Sequence, residues 1–397
     1  MKIRSLIAAA FVSTLLSAAA LAQNIVTPNG SLSFTAGDLL VERMGDGSAA
    51  LTSNATPIFF DEYNPNGTLI QSVALPTTGN NTSGNYAVTD SGSAASDGFI
   101  TLSADGQYIA FTGYSANVGT GNLTGNVRTA LQTVAGTLSY NGTLSVTNLG
   151  TTAYGKNNIR SAYTNGTNVW TVGANGTTGG VWSTNGGTPT QLTTSGNKAI
   201  NAADGQLYAS NGTSILSIGT GLPASGAQSA TPLITSVGGG NLTQFFFADL
   251  SNTVAGVDTL YIANQASNTT AILKYSLVSG DWVATGSASI GSIDSAGALG
   301  LTGLANGSNV TIYGTTANTI FDLTDSSGYD GTLSGTAAAL ISAGANENFR
   351  GIAFAPTSMA VVPEPGAMAL LIGLGSLAGA GVLQRKQKPA ATNASAN

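Results

Sequence analysis

The sequence predicts an all-β body set between two apolar terminal segments. Three observations predict it. Short alternating runs rich in β-branched and aromatic residues recur along the chain. Asn-Gly and Asp-Gly dipeptides punctuate them, and an aromatic anchor returns every 38 to 53 residues. Between Gln23 and Val362 no stretch carries the apolar period of an amphipathic helix.

The N-terminus begins Met1-Lys2-Ile3-Arg4, continues with an apolar stretch from Leu6 to Leu16, and ends in Ala20-Leu21-Ala22-Gln23. A positive start, a short apolar core and an Ala-x-Ala site form a secretory signal, with cleavage expected between Ala22 and Gln23. The apolar core is too short to span a bilayer. Residues 1–22 are therefore assigned as a signal peptide and 23–360 as the body.

Within the body, Asn-Gly recurs at 66–67, 141–142, 165–166, 175–176, 185–186, 211–212 and 306–307, and Asp-Gly at 46–47, 97–98, 105–106, 204–205 and 330–331. These dipeptides accept the positive φ angles of tight hairpins. The runs between them repeat as an apolar strand, a turn, a strand with a central aromatic, and another apolar strand. Ile159–Ala162 precedes Asn168–Val172, and Ala199–Ala202 precedes Gln206–Ala209. Phe245–Ala248 precedes Thr259–Ile262, and Leu301–Leu304 precedes Val310–Tyr313. An earlier copy runs from Gly98–Leu102 to Gln107–Phe111.

The anchors Trp170, Tyr208, Tyr261 and Tyr313 are 38, 53 and 52 residues apart. About 40 to 50 residues suit one four-stranded blade, so the expected architecture is a β-propeller. A β-sandwich or a β-solenoid would use similar strands at a different period. Phe349–Pro356 reads as an innermost strand with no blade after it. The strands near Asp38–Glu42, Pro57–Tyr63 and Thr68–Leu75 lack a first strand, so pairing the two ends would close the ring. The count is six blades, or seven if the 113–157 stretch holds another.

Charged residues are 8% of the 397, and 53 residues are Gly, yet 42% are hydrophobic, enough to build a core. Setting aside the six charged residues of the terminal segments leaves seven basic and seventeen acidic, a body charge of about −10. That balance argues against nucleic acid as a partner. The sequence holds no Cys and no His. A disulfide framework, thiolate or imidazole metal sites and the Ser-His-Asp and Cys-His pairs are thereby excluded. No cofactor or metal is expected.

Carboxylate chemistry remains. Asp61-Glu62, beside Phe59-Phe60 and Tyr63, is the densest acidic-aromatic cluster, but adjacent strand residues point to opposite faces. Asp38, Glu42, Asp61, Asp249 and Glu347 are candidates to meet as a pair across a sugar in a propeller channel. Arg160 and Arg350 stand at the start of proposed inner strands, where they face the channel and an anion, or pair with a neighbouring acid. Asp322, Asp325 and Asp330 offer oxygen ligands in a Gly-containing loop, but their spacing departs from a calcium loop, and a hairpin is expected there.

At the other end, Val362-Pro363-Glu364-Pro365-Gly366 leads into an uncharged apolar segment ending at Leu383, followed by Arg385-Lys386-Gln387-Lys388. As a helix, residues 366–383 would be about 27 Å long, about one hydrocarbon thickness. The basic cluster behind it sets the body outside the cytoplasm. This order of motif, helix and basic cluster resembles the PEP-CTERM sorting domain of exosortase systems, over about the last thirty residues. The resemblance implies that Pro363, Glu364 and Pro365 are the recognition motif, that residues 361–388 form the sorting segment, and that the helix is a temporary anchor removed by an exosortase. The tail 389–397 extends beyond the usual abrupt ending. The body resembles secreted bacterial propeller-like proteins that carry the same tail.

The expected protein is exported, passes through an inner-membrane intermediate, and ends at the cell surface or outside the cell. The expected function is a non-enzymatic structural or binding module, with exopolysaccharide or another envelope polymer as partner. The alternative is a carbohydrate-active enzyme using paired carboxylates in the channel.

Overall fold

The computed structural model describes residues 23–24, 32–82, 84–123, 131–155, 158–174, 176–234 and 240–358. The chain separates into a unit of residues 1–358 and a second of 359–397, and every described residue belongs to the first. The signal segment up to Ala22, the Pro363-Glu364-Pro365 motif, the apolar segment behind it and the tail lie outside the described residues. Among the described residues there is no helix, and so none long and apolar enough to cross a membrane.

The strands in chain order are β1 (Gln23–Asn24), β2 (Leu39–Met44), β3 (Ala55–Tyr63), β4 (Leu69–Ala74), β5 (Thr89–Ser91), β6 (Thr101–Leu102), β7 (Tyr108–Tyr114), β8 (Thr133–Ser139) and β9 (Thr143–Gly150). Four separate antiparallel sheets follow, each of four consecutive strands. They are β10 (Ile159–Thr164) to β13 (Thr190–Thr193) through β11 (Val169–Gly173) and β12 (Gly180–Thr184), and β14 (Ile200–Ala203) to β17 (Ala230–Pro232) through β15 (Gln206–Ser210) and β16 (Ile215–Ile218). Next come β18 (Leu242–Ala248), β19 (Thr259–Asn264), β20 (Ile272–Val278) and β21 (Asp281–Ala288). The last are β22 (Gly300–Asn306), β23 (Asn309–Thr315), β24 (Thr319–Asp325) and β25 (Ala338–Ser342). The final strand, β26 (Asn348–Phe354), returns to pair with β2, Leu39 opposite Phe354 and Val41 opposite Ile352.

The ends of the chain thus complete a first four-stranded group, β26-β2-β3-β4, as the orphan strands in the sequence require. β6 to β9 make the second group, and β5 bridges β3 to β7, joining both groups in one ten-stranded sheet with β1 at its edge. The 113–157 stretch supplies the outer strands of the second group rather than a further sheet. The first strands of the six groups neighbour one another in the cyclic order β6, β10, β14, β18, β22, β26 and back to β6. This is a propeller-like arrangement.

Both faces of each group are covered, so both sets of alternating residues are apolar. On β2, Leu40 and Met44 join the cluster against the second group through Phe60, Ile109, Phe111 and Leu138. Leu39 and Val41 point the other way, to Tyr313, Ile320 and Ile352. Four more clusters fill the remaining interfaces around the ring, with Trp182, Trp170, Phe245 and Phe321 among their members. Each fully buried Leu, Val or Phe side chain contributes ~2 kcal/mol. The hairpins follow the dipeptide signals: between β14 and β15, Asp204 and Gly205 take φ of 47° and 70°, as a two-residue turn requires.

Candidate functional site

The axis of the ring is the natural place for a site, and it is filled. Gln244 on β18 extends across it, its Nε2 donating to Ile100 O at 2.7 Å and Ile352 O at 2.8 Å, while its Oε1 accepts from Ile352 N at 3.2 Å. Around Gln244 the first strands are stitched to their neighbours. Thr101 Oγ1 donates to Ala162 O (2.6 Å), Asn201 Nδ2 to Phe245 O (3.1 Å), Thr243 Oγ1 to Leu299 O (2.7 Å) and Gly351 N to Gly98 O (2.9 Å). Phe99, Phe245 and Leu299 pack beside them, all buried.

At the end of the axis where the first strands begin, a charge cluster is buried between the first and second groups. Arg350 on β26 is 1% exposed, and its Nη2 donates to Gly92 O at 3.0 Å. Glu42 on β2, Asp90 on β5 and Asp97 before β6 surround it, none more than 1% exposed. Gly98, at φ +81°, passes so close that a Cβ there would lie 2.3 Å from Glu42 Oε1. Burial pushes the Glu42 carboxyl up to about 8, against the pull of Arg350. Burial, then the charges of Asp97 and Glu42, hold Asp90 well above the carboxylate range.

Asp97 links this cluster to the third and fourth groups. Its Oδ2 accepts from Asn158 Nδ2 at 2.9 Å, and Arg160 Nε lies 3.4 Å from its Oδ1. Arg160 also donates through Nη1 to Asn197 O. Lys198, next in the chain, is pushed down to about 8 by burial and then by the Arg160 charge. Arg160 and Arg350 thus sit in one neighbourhood at the start of inner strands. Asp90, Asp97 and Lys198 had no signal of their own in the sequence, beyond the Asp97-Gly98 pair that reads as a turn.

Asp61 and Glu62 lie on β3 in the first group and point to opposite faces. Asp61 holds Arg43, with Nε to Oδ2 at 2.5 Å, and accepts from Ser72 Oγ at 2.5 Å. Arg43 Nη1 also meets Glu347 Oε1 at 2.8 Å, and its guanidinium lies over the Phe59 ring. Glu62 accepts from Thr35 N at 2.6 Å and Gln71 Nε2 at 2.5 Å, while burial raises its carboxyl. Of the sequence candidates, Glu347 therefore joins Asp61 on Arg43, Glu42 joins Arg350, and Asp249 is exposed in the turn after β18.

The Asp322–Asp330 segment does form an oxygen cage, and its occupant is a side chain. Lys274 on β20, fully buried, places Nζ 2.5 Å from Gly328 O, 2.8 Å from Ser327 Oγ, 2.9 Å from Gly331 O and 3.0 Å from Asp325 Oδ2. Asp325 also accepts from Tyr261 OH at 2.7 Å. Despite its burial, the hydrogen bonds of Ser327, Tyr261 and Lys274 hold its carboxyl below the usual range. Among the described residues no group of three or more acids is arranged to hold a metal ion.

The surface carries two shallow grooves. One, of about 430 Å³, lies between Leu149 and Gly150 on one side and Trp182, Thr188 and Pro189 on the other, and no titratable side chain lines it. The other, of about 340 Å³, follows the β2–β3 connection, with Asp46 as its one titratable residue.

No family model matches the chain, and no curated protein matches it. Among solved structures, a Bacteroides uniformis protein proposed to be a 6-phosphogluconolactonase is similar at 14% identity over 77% of this chain and 82% of its own, with a TM-score of 0.41. AofleA from Arthrobotrys oligospora is similar at 11% identity over 83% of this chain and 93% of its own, TM-score 0.42. The GH74 enzyme of Niastella koreensis is 13% identical over 78% of this chain and 46% of its own, TM-score 0.42. Likeness at this level transfers no site residue to this chain.

Proposed function

We propose that the protein is an exported, non-enzymatic binding module of the cell envelope, a closed six-bladed β-propeller delivered by its PEP-CTERM tail and associated with exopolysaccharide. An exosortase is its processing partner, acting at Pro363-Glu364-Pro365. The observation that carries the non-enzymatic part is the filled axis: Gln244 and its apolar neighbours occupy the place where paired carboxylates would have to embrace a sugar. The grooves on the outside hold no pair of acids either. The export and sorting part rests on the order of residues at the two ends of the chain.

A second reading, a carbohydrate-active enzyme, draws on one specific feature. Glu42, held protonated near neutrality, has the property of a general acid. Its complete burial behind Gly98 counts against it, because a general acid must reach the leaving-group oxygen.

The test is intact mass of the protein recovered from the envelope and medium of a host with and without its exosortase. A species that starts at Gln23 and ends near Pro363 only when the enzyme is present is expected. A full C-terminus under both conditions would make residues 366–383 a plain anchor and refute the sorting step.

A further inference from the structure

The segment Ser91–Asp97 crosses the end of the axis like a strap. It leads into the second group, while Gln265 Nε2 of the fifth group, diametrically opposite in a ring of six, donates to Ala95 O at 3.0 Å. The strap is built of small residues, Ser91-Gly92-Ser93-Ala94-Ala95-Ser96, and its Gly92 O is held by Arg350.

Around the strap collect polar atoms that the protein itself does not satisfy. Among the described residues seven buried side-chain polar atoms lack a hydrogen-bond partner, and five belong to this neighbourhood. They are both carboxyl oxygens of Glu42, Ser91 Oγ, Arg160 Nε and Asn197 Oδ1; the other two, on Thr112 and Ser183, stand in other strands. An unsatisfied buried polar group costs ~1–3 kcal/mol, so five in one place imply a bound species that supplies the missing partners.

The charge is equally uneven. Arg160, Lys198 and Arg350 face Asp97, while burial keeps Glu42 and Asp90 uncharged near neutral pH. On a body of about −10, this is a local excess of positive charge. Arg160 and Lys198 are partly open to solvent, so an anion can reach them. The mixture of cationic donors with hydroxyl, amide and carboxyl groups fits a polyhydroxylated ligand with one anionic group. The strap limits the opening to the end of a chain rather than its middle.

We propose that this end of the axis binds a terminal carboxylate-bearing sugar, with Arg160 and Lys198 taking the carboxylate and Asn197 and Ser91 the hydroxyl groups. The proposal rests on the binding-module reading and names its ligand class. Gln265 then works as the latch of the strap.

Calorimetric titration of the full chain in detergent with glucuronate, glucose and inorganic phosphate tests it. Glucuronate is expected to bind at least tenfold more tightly than glucose or phosphate. Lys198→Met and Arg160→Gln should each weaken it at least tenfold, Lys198→Met with an unchanged melting temperature. Gln265→Ala should speed association and dissociation together, leaving affinity within a few-fold. Equal binding of glucose, no binding of glucuronate, or an unaffected Lys198→Met would overturn the site. Phosphate binding as tightly as glucuronate would reduce it to an adventitious anion site and overturn the sugar assignment. A parallel pull-down with an acidic exopolysaccharide separates the two readings. Polymer retained equally by Lys198→Met sinks this site and leaves the module, whereas glucuronate bound with no polymer retained sinks the module and leaves the site.

Discussion

Glu42→Gln should stabilise this protein at neutral and alkaline pH, although it removes a charged residue next to Arg350. In the folded chain the Glu42 carboxyl is buried and raised from 4.5 to about 8. Between those two values the unfolded chain has released a proton that the folded chain retains. Stability must therefore fall as pH rises through this window, by about 1.4 kcal/mol per pH unit. At pH 7 the accumulated loss is about 3 kcal/mol, and above about 8 it stops growing. Glutamine has nearly the same shape and no proton to lose. Urea unfolding followed by tryptophan fluorescence, at half-unit steps from pH 5 to 8.5, measures the difference. The two proteins should be close at pH 5 and diverge steadily above it, with the variant the more stable. Asp90 is raised in the same direction, so a slope remains in the variant. A variant less stable than the parent by a constant amount across the range would refute the reasoning. It would mean that Glu42 is ionised and paired with Arg350.

Two further substitutions probe the interior. Lys274→Met leaves Asp325 buried without its ammonium and empties the cage of Ser327, Gly328 and Gly331, which should cost about 3–5 kcal/mol in urea unfolding. Pairing it with Asp325→Asn should recover part of that loss, and no recovery would remove the ion pair from the explanation. Gln244→Leu deletes the bonds that tie β18 to Ile100 and Ile352, and a loss of ~2–4 kcal/mol is expected from melting and urea curves. A loss below half a kcal/mol would show that the axis does not depend on this side chain.

The strands were legible because burial on both faces and tight hairpins leave marks on every repeat. The aromatic anchors, the Asp204-Gly205 turn and the unmatched Phe349–Pro356 strand are local signals, and the ring that they imply needs no distant information. The opposite orientation of Asp61 and Glu62 also followed from strand alternation alone. The charge cluster was only half legible. Arg160 and Arg350 could be placed at strand starts, but their partners could not, because Asp90 and Asp97 come from connections whose path is set by packing. Asp97-Gly98 carries the composition of a hairpin turn, yet Gly98 is there to let the backbone pass Glu42 Oε1. Lys274 shows the same limit from the other side. The Asp325 loop has the oxygens of a cation site, and the cation is a lysine 51 residues away on the neighbouring group.

The most direct test of a module that binds without cleaving combines two readouts on one sample. The full chain is incubated with an acidic exopolysaccharide at pH 7, and polymer retention and new reducing ends are measured together. Retention of polymer with reducing ends at the level of the protein-free blank is the predicted result. Reducing ends that rise with protein concentration and disappear in Glu42→Gln would contradict it and make the buried cluster a catalytic one.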